Sequence, residues 1–502
     1  MDLLQKYLSS NKDINTQMVQ FVSSLELVSK VSKEVALKIV QELEDQRTNY
    51  LKLIASENFS SLSVQSAMSN LLTDKYAEGF AYHRFYAGCD NVDYIEALAC
   101  EKAKELFKVD HAFVQPHSGA DANLCAFWSI LNAKVQTPIL EEIGIDNPSN
   151  LTEDDWNKIR TACHNQKLLA LDYYSGGHLT HGYRQNVSAQ MFDAYSYSVS
   201  EKDYLLDYED IRQKALEIKP LILLAGYSAY PRKINFKKMK AIADEVGAVF
   251  MVDMAHFAGL VAGGVFTGEF SPVGYADVIT STTHKTLRGP RGGLILCSEE
   301  FAPFVDKGCP LVIGGPLAHV MAAKALCFIE ALTDDYKAYA AQIVKNSSYL
   351  SSALMDEGLT VLTGGTDNHL LLVDVAPFGI NGRQAESLLR DCGITLNRNA
   401  LPFDKNGPWY TSGLRLGTPA LTTLGMKEEE MKEIASIISL ILKNAESVIL
   451  TKGNNAGKPS KNKAKVPAEV KAESIARVKA LLQKHVLYSE IDLDFIKEIM
   501  VD

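Results

Sequence analysis

A lysine delivered by a strand offers the most direct chemistry in this chain. In Val278-Ile-Thr-Ser-Thr-Thr-His-Lys285 a β-branched run ends on Lys285. A turn rich in glycine and arginine (Thr286 to Gly293) follows, and a second apolar run, Leu294 to Cys297, begins after it. At the mouth of a site a buried lysine amine loses its proton readily and becomes a nucleophile toward an aldehyde. Thr282, Thr283 and the ring nitrogens of His284 add polar groups suited to an anionic cofactor. A surface lysine in a strand-to-strand turn is the ordinary alternative, so the assignment depends on what else the chain brings to the same place.

Several other stretches carry matching chemistry, each with a plainer use beside it. In Val252-Asp-Met-Ala-His-Phe-Ala-Gly259, Asp253 stands at a strand terminus with His256 three positions on. A buried carboxylate is costly unless a cation or strong donor meets it. A protonated pyridine nitrogen is such a partner, and keeping it charged makes the ring an electron sink. Gln115-Pro-His-Ser-Gly-Ala-Asp-Ala-Asn123 places Ser118 and Gly119 before an apolar helical run. Backbone N–H groups there attract phosphate, although a Ser-Gly turn is also a common helix cap. Ser175-Gly-Gly-His-Leu-Thr-His-Gly182 lets the backbone approach a ligand and offers His178 or His181 to lie over a flat ring. A lone histidine is more often structural. Arg415, in Thr411-Ser-Gly-Leu-Arg-Leu-Gly-Thr-Pro419, lies in a strand-like run. Pointing to water it is ordinary; pointing inward it holds a carboxylate in bidentate fashion. Leu53-Ile-Ala-Ser-Glu-Asn58, Lys75-Tyr-Ala-Glu-Gly79 and Arg84-Phe-Tyr86 set more polar groups at the ends of apolar stretches, with capping as the competing use.

These residues need elements to position them. Apolar runs at 220–226, 248–253, 277–282 and 293–297 read as buried strands, the first two separated by a helical pattern at 236–247. That order implies an α/β fold with a mainly parallel sheet between helices, whose ligands sit beyond the carboxyl ends of the strands. Asp253 and Lys285 both fall near such ends, so they can converge across 32 positions. Residues 1–50 read as a helical arm and 51–315 as a large domain. A smaller α+β domain at 316–450 opens on a helix from Ala318 to Ala341. A Lys-, Gly- and Asn-rich linker follows at 451–473, then a helical tail at 474–502.

With 502 residues, 47% hydrophobic and 22% charged, the chain has the composition of a multidomain globular protein with a large core. A net charge of −10 disfavours nucleic acid or an anionic membrane as the main partner. The N-terminus lacks a secretory pattern. The most apolar stretch, Gly247 to Phe266, carries Asp253 and His256 and reads as a strand and loop rather than a membrane span. Eight scattered cysteines without a C-x-x-C pair fit reduced, buried thiols in a cytoplasmic protein and argue against zinc; no metal is expected.

From about Val35 to Ala445 the motifs LIASEN, KYAEG, QPHSG, GGHLTHG, VDMAH, STTHKTL, GPRGGLIL, GGTDNHL and TSGLRLGTPA resemble, in order, those of the serine hydroxymethyltransferases, pyridoxal 5'-phosphate (PLP) enzymes of the aspartate-aminotransferase fold type. The resemblance implies a fold-type I transferase, its large domain built on a mainly parallel seven-stranded sheet. It also implies a homodimer, or a tetramer of two dimers, with active sites shared across the interface. The implied reaction is reversible transfer of the hydroxymethyl carbon of L-serine to tetrahydrofolate, giving glycine and 5,10-methylenetetrahydrofolate. Position by position, Lys285 resembles the lysine that binds the cofactor aldehyde. Asp253 resembles the partner of the pyridine nitrogen, and His178 the ring-stacking histidine. His256 and Ser228 match groups near the phenolic oxygen. Ser118, Gly119, His284, Tyr76 and, from the neighbouring subunit, Gly315 match phosphate ligands. Arg415 matches the carboxylate anchor. Ser56 and Tyr86, the latter from the other subunit, match substrate contacts, and Glu78 the carboxyl that handles the hydroxymethyl proton. Gly177, Leu179 and Asn399 match folate contacts, and Thr282 a threonine near the lysine.

Four places depart from the family pattern, and they are not random. Ala120 replaces a phosphate hydroxyl, Phe85 a phenol, and Tyr173 a leucine by the pterin slot. Cys309-Pro-Leu-Val-Ile-Gly-Gly315 lacks an aromatic ring and two glycines, and an inserted segment of about thirty residues lies near 135–167. The amino-acid and cofactor residues are mostly intact, while the folate side is altered. This favours weaker folate binding and more prominent folate-independent reactions, namely 3-hydroxy amino acid cleavage and slow alanine racemisation. A folate-independent aldolase or racemase of the same fold is the alternative.

Overall fold

The computed structural model describes residues 2–10, 12–145, 147–452 and 456–501. Its centre is a seven-stranded sheet of β1 (His111–Phe113), β2 (Lys167–Leu171), β3 (Asp193–Tyr197), β4 (Ile222–Gly226), β5 (Val249–Asp253), β6 (Val278–Thr282) and β7 (Gly293–Cys297), in the spatial order β1-β7-β6-β5-β4-β2-β3. Strands β6, β5, β4, β2 and β3 run parallel; β7 is antiparallel to both β6 and β1. All five residues of each of β4, β5, β6 and β7 are buried, as a sheet covered on both faces requires. Their unbroken apolar or β-branched character is the cause, since neither face has to meet water.

Register carries the chemistry-bearing positions to one edge. Gly226 pairs with Asp253, and Asp253 with Thr280, so β4, β5 and β6 finish at the same level. Lys285 follows three residues beyond the end of β6. The strands approach so closely here that a Cβ on Gly226, whose φ is +135°, would lie 2.2 Å from the Asp253 carbonyl oxygen. No side chain fits there.

A second core surrounds a four-stranded antiparallel sheet of β8 (Thr360–Val361), β9 (Leu370–Asp374), β10 (Asn397–Asn399) and β11 (Gly413–Gly417), in the order β8-β9-β11-β10. The division between the two cores differs from the expected break at 315. The expected helix from Ala318 to Ala341 is two helices, Ala318–Ala331 and Asp334–Asp356, the second capped by Thr333. Ala318, Met321, Phe328, Tyr336 and Ile343 pack into the core of the large sheet, and only from Leu350 does the chain enter the second core. Early in the chain Leu51 and Leu53 also belong to the second core, where Leu51–Lys52 pairs in parallel with Ile394–Thr395. The inserted segment carries helices of its own, Thr137–Ile143 and Glu153–His164.

The expected linker at 451–473 is largely structured, apart from Gly453 to Asn455, which lie outside the described residues. Pro459–Lys465 pairs antiparallel with Glu446–Ile449, and the next helix, Ala468–Lys484, begins inside the expected linker. The polar composition concealed this because the hairpin is held by hydrogen bonds rather than apolar burial. Gln384 donates to the Ser460 carbonyl at 2.6 Å and to that of Lys463 at 3.1 Å.

The N-terminal arm (helices Leu3–Leu8, Thr16–Val31 and Lys33–Glu44) closes on the C-terminal helix Leu493–Val501 through Tyr7, Met18, Val22, Leu25, Leu487, Ile491 and Ile496. Arg47, buried at the junction, donates to the carbonyls of Leu487 and Ile491, both at 2.7 Å, and of Tyr488. Removing this guanidinium strands three carbonyls at once. Arg47→Ala should therefore lower unfolding stability by about 2–4 kcal/mol in denaturant titration, with early proteolytic loss of the C-terminal helix.

Candidate active site

At the carboxyl edge of β4, β5 and β6 lies a cavity of about 610 Å³, a size typical of small-molecule and cofactor sites. Its lining brings together Ser56, Ser118, Gly119, Gly177, His178, Leu179, Ser228, Asp253, His256, Thr282, His284, Lys285, Asn399 and Arg415. Motifs spread over some 360 positions thus meet in one hollow. Tyr76, Glu78, Tyr86 and Gly315 do not line it. They form a separate cluster, with the Tyr76 and Tyr86 rings 4.9 Å apart, Glu78 beside Tyr86, and a Cβ on Gly315 falling 3.7 Å from the Tyr76 ring.

Asp253 is the fixed point. Ala255 N donates to its Oδ1 at 3.0 Å; Asn123 Nδ2 (2.9 Å) and His181 Nε2 (3.1 Å) meet its Oδ2. Thr280 on β6 holds Asn123 in turn. Burial alone would raise the carboxyl's pKa, but the hydrogen bonds and charge of His181, with Asn123 behind them, hold it well below the usual carboxylate range. The glycine-rich histidine loop therefore divides its labour: His181 steadies Asp253, while His178, half-buried against the cavity, accepts from Thr180 N at 3.2 Å. Burial, then His181, pushes His178 down to about 4, so its ring is neutral. His178, His181 and Asp253 also have the residue types and closeness of a metal site, their ligand atoms lying within 4.8 Å. The His181–Asp253 hydrogen bond is the competing use of the same atoms.

The Lys285 amine is drawn down to about 8 by burial, with Arg415 and Arg291 adding to the effect and Asp253 opposing it. Its backbone carbonyl accepts from Asn58 Nδ2 at 2.9 Å. Arg415 points inward and not to water. Its Nε donates to Asn397 Oδ1 at 2.9 Å and its NH1 to the Ser228 carbonyl at 2.6 Å, and burial lowers its pKa to about 10. A cation turned into a cavity, with no carboxylate among the described residues hydrogen-bonded to it, is built to receive one.

The helix Gly119–Leu131 starts at the cavity, where Ser118 Oγ accepts from Asp121 N at 3.1 Å as its cap. A Cβ on Gly119 would lie 2.7 Å from Thr282 Cγ2, so only glycine lets the helix start reach the end of β6. Across from it, His284 has a buried Nδ1 without a partner, and Arg291 reaches its Nε2 at 3.4 Å. A helix N-terminus, a serine hydroxyl, an orphaned imidazole nitrogen and an arginine fit a phosphate at this end, and Asp253 fits a protonated ring nitrogen at the other. The donor set suits a flat, phosphate-bearing aromatic aldehyde within reach of Lys285.

Comparison with known proteins agrees with this geometry. A family model described as serine hydroxymethyltransferase matches residues 28–141 and 159–438. The chain belongs to the serine hydroxymethyltransferase family. The unmatched interval, 142–158, falls within the inserted segment. Relatives named serine hydroxymethyltransferase include one from Treponema pallidum (strain Nichols), 57% identical over 98% of this chain and 86% of its own length. Another, from Salinispora tropica, is 51% identical over 95% and 99%. One from Chlamydia trachomatis serovar L2 is 48% identical over 98% and 99%.

Sequence reasoning missed several residues. Asn123 belongs to the quoted Gln115–Asn123 motif, and an amide on an otherwise apolar helix face was its signal. Thr180 and Arg291 stand inside the quoted GGHLTHG and GPRGGLIL motifs without having been singled out, and Asn397 carried no signal. Arg84 proves to be scaffold: it pairs with Asp93 and Glu96 and donates to the carbonyls of Ala77 and Gly79, shaping the loop that bears Glu78. Lys324, fully buried, donates to the carbonyls of Val114 (2.5 Å), Pro116 (2.9 Å) and Gly293 (2.8 Å), bracing the turn before Ser118.

A depressed lysine pKa has a definite effect on stability. Below about 8 the folded and unfolded chains both carry the proton, and the folded state bears the cost of the charge in its pocket. Between about 8 and 10.5 the unfolded chain binds more protons, so stability rises with pH. In cofactor-free protein, Lys285→Met should be more stable than wild type at neutral pH by on the order of 1–3 kcal/mol. Denaturant midpoints measured across pH should show that gap closing as pH approaches 10.5.

Proposed function

We propose that this chain transfers the hydroxymethyl carbon of L-serine to tetrahydrofolate, giving glycine and 5,10-methylenetetrahydrofolate, with PLP bound at Lys285. The observation that carries the reading is the convergence of a low-pKa lysine, an ionised buried carboxylate and an inward-facing arginine at one sheet edge. When bound, PLP supplies an electron sink for charge left on the amino acid's α-carbon. Ser118, Gly119 and His284 would hold its phosphate, Asp253 its ring nitrogen, and His178 one face of the ring; His256 and Ser228 would serve its phenolic oxygen. Arg415 would anchor the substrate carboxylate and so fix the orientation of the amino acid in the cavity, a positioning effect worth roughly 7–11 kcal/mol at most. Ser56 adds a further substrate contact. Gly177, Leu179 and Asn399 offer the wall for the pterin.

Tyr76, Glu78, Tyr86 and Gly315 act in the partner's site within a homodimer. Leu71, Tyr76, Tyr82, Phe85 and Tyr94 are 58–84% exposed in the single chain, an apolar cost that a second copy relieves. In that arrangement Glu78 manages the hydroxymethyl proton while Tyr86 and Tyr76 complete the substrate and phosphate contacts. Weaker folate binding follows from the altered positions. Tyr173 stands in the cavity wall in place of a leucine, and the aromatic ring missing from Cys309–Gly315 is a lost contact worth ~0.5–1.5 kcal/mol.

The test is conversion of serine to glycine with and without tetrahydrofolate. Wild type should be active, Lys285→Ala and Asp253→Ala reduced by several orders of magnitude, and Arg415→Ala impaired chiefly in serine binding. Folate-independent conversion equal to the folate-dependent rate would favour an aldolase instead. Mixing inactive Lys285→Ala and Glu78→Gln chains should restore roughly a quarter of wild-type activity, because one site in each mixed dimer is intact; no recovery would rule out shared sites. Titration of the glycine complex with tetrahydrofolate should give weaker binding than in the Salinispora tropica relative.

A further inference from the structure

His369 lies outside the cavity yet touches it through one residue. It is fully buried at the entry to β9, and its Nε2 stands 3.2 Å from Nδ1 of His256, the two rings stacked with centroids 5.4 Å apart and planes 28° apart. His256 lines the cavity; His369 does not. Burial, reinforced by Lys285 and Arg415, keeps both imidazoles neutral, His369 at about 3 and His256 well below its ordinary value.

Two neutral imidazoles joined nitrogen to nitrogen share one proton, so one ring donates and the other accepts. If His256 donated from Nδ1, His369 would carry its own proton on Nδ1. That atom is buried with no hydrogen-bond partner, and an orphaned buried N–H is the rarer and costlier outcome in folded proteins. If His369 donates from Nε2, its Nδ1 holds only a lone pair. His256 Nδ1 is then the acceptor, and the proton of His256 sits on Nε2, the nitrogen left for the cavity.

We propose that His369 is a positioning residue: by donating to His256 Nδ1 it fixes His256 as an Nε2–H donor toward the cavity, suited to an anionic oxygen on the bound ring. The inference rests on the PLP reading above and extends it to a residue that never contacts the cofactor. It makes the sequence element Gly364-Gly-Thr-Asp-Asn-His369 part of the site's electronics rather than only the lead-in to a strand. Thr366 and Asn368 fix the backbone of that turn, since Thr366 Oγ1 donates to the Leu370 carbonyl at 2.6 Å and Asn368 Nδ2 to the Tyr230 carbonyl at 3.0 Å.

Solid-state ¹⁵N NMR of histidine-labelled holoenzyme, with His256 assigned by its loss in His256→Gln, reads the tautomer directly. The proton is expected on Nε2; a proton on Nδ1 overturns the proposal. Titrating apoprotein with PLP gives a second readout. His369→Leu should weaken cofactor affinity roughly tenfold, the loss of one buried neutral hydrogen bond, and shift the visible spectrum of the bound cofactor. His369→Gln, whose amide can still donate, should restore both. In a His256→Ala background His369→Leu should have no further effect. Equal losses in both backgrounds, or no loss in either, overturn the proposal. Should wild-type apoprotein fail to take up PLP at Lys285, the parent reading falls instead. Normal uptake with an unchanged His369→Leu spectrum sinks this inference alone.

Discussion

Keeping the Asp253 carboxylate ionised beneath a cavity, away from bulk water, constrains everything around it. A buried charge of this kind persists only where donors surround it. The donors here come from four places in the sequence: Ala255 just beyond β5, Asn123 on the helix after the Ser118 turn, His181 on the glycine-rich loop, and Thr280 behind Asn123. Each can reach only if β4, β5 and β6 end at one level, which the registers Gly226–Asp253 and Asp253–Thr280 provide. The same register carries Lys285 to the same edge. One electrostatic requirement thereby fixes the strand alignment, the helix start and the loop, and it leaves a half-buried amine whose proton is loosely held.

Much of this was legible in the sequence because strong local signals marked it. Fully buried parallel strands read as unbroken apolar runs, and the residues just past them read as site candidates. Fourteen of the motif positions named from sequence line one cavity. What stayed hidden was of two kinds. Asn123 and His369 stand inside quoted motifs and Asn397 outside them, but spacing shows the role of none of the three, because each acts by hydrogen-bonding to a site residue far off in sequence. Segments stabilised by backbone and amide hydrogen bonds also misled. The Lys-rich stretch read as linker contains a strand held by Gln384, and the domain boundary slid from 315 into the helix Asp334–Asp356 because apolar periodicity does not say which core a helix faces.

Lys285 and Arg415 in the cavity and the buried Lys324 illustrate how context assigns different work to similar chemistry. Lys324, lowered to about 7 by burial, has all its donor capacity taken by three carbonyls and serves the fold. Arg415 is held by two neutral acceptors and keeps charge to offer. Lys285 is half-buried with a free edge on the cavity, and only its amine combines low proton affinity with access. Among the described residues no helix is long and apolar enough to cross a membrane.

Lys324 also supplies the sharpest control. Holding the protein with PLP, reducing it with borohydride and mapping the labelled peptide by mass spectrometry asks which lysine the aldehyde reached. The account expects a single stoichiometric label on Lys285, lost in Lys285→Ala and much reduced in Asp253→Ala. Label on Lys324 or on surface lysines, undiminished when Lys285 is replaced, would contradict it.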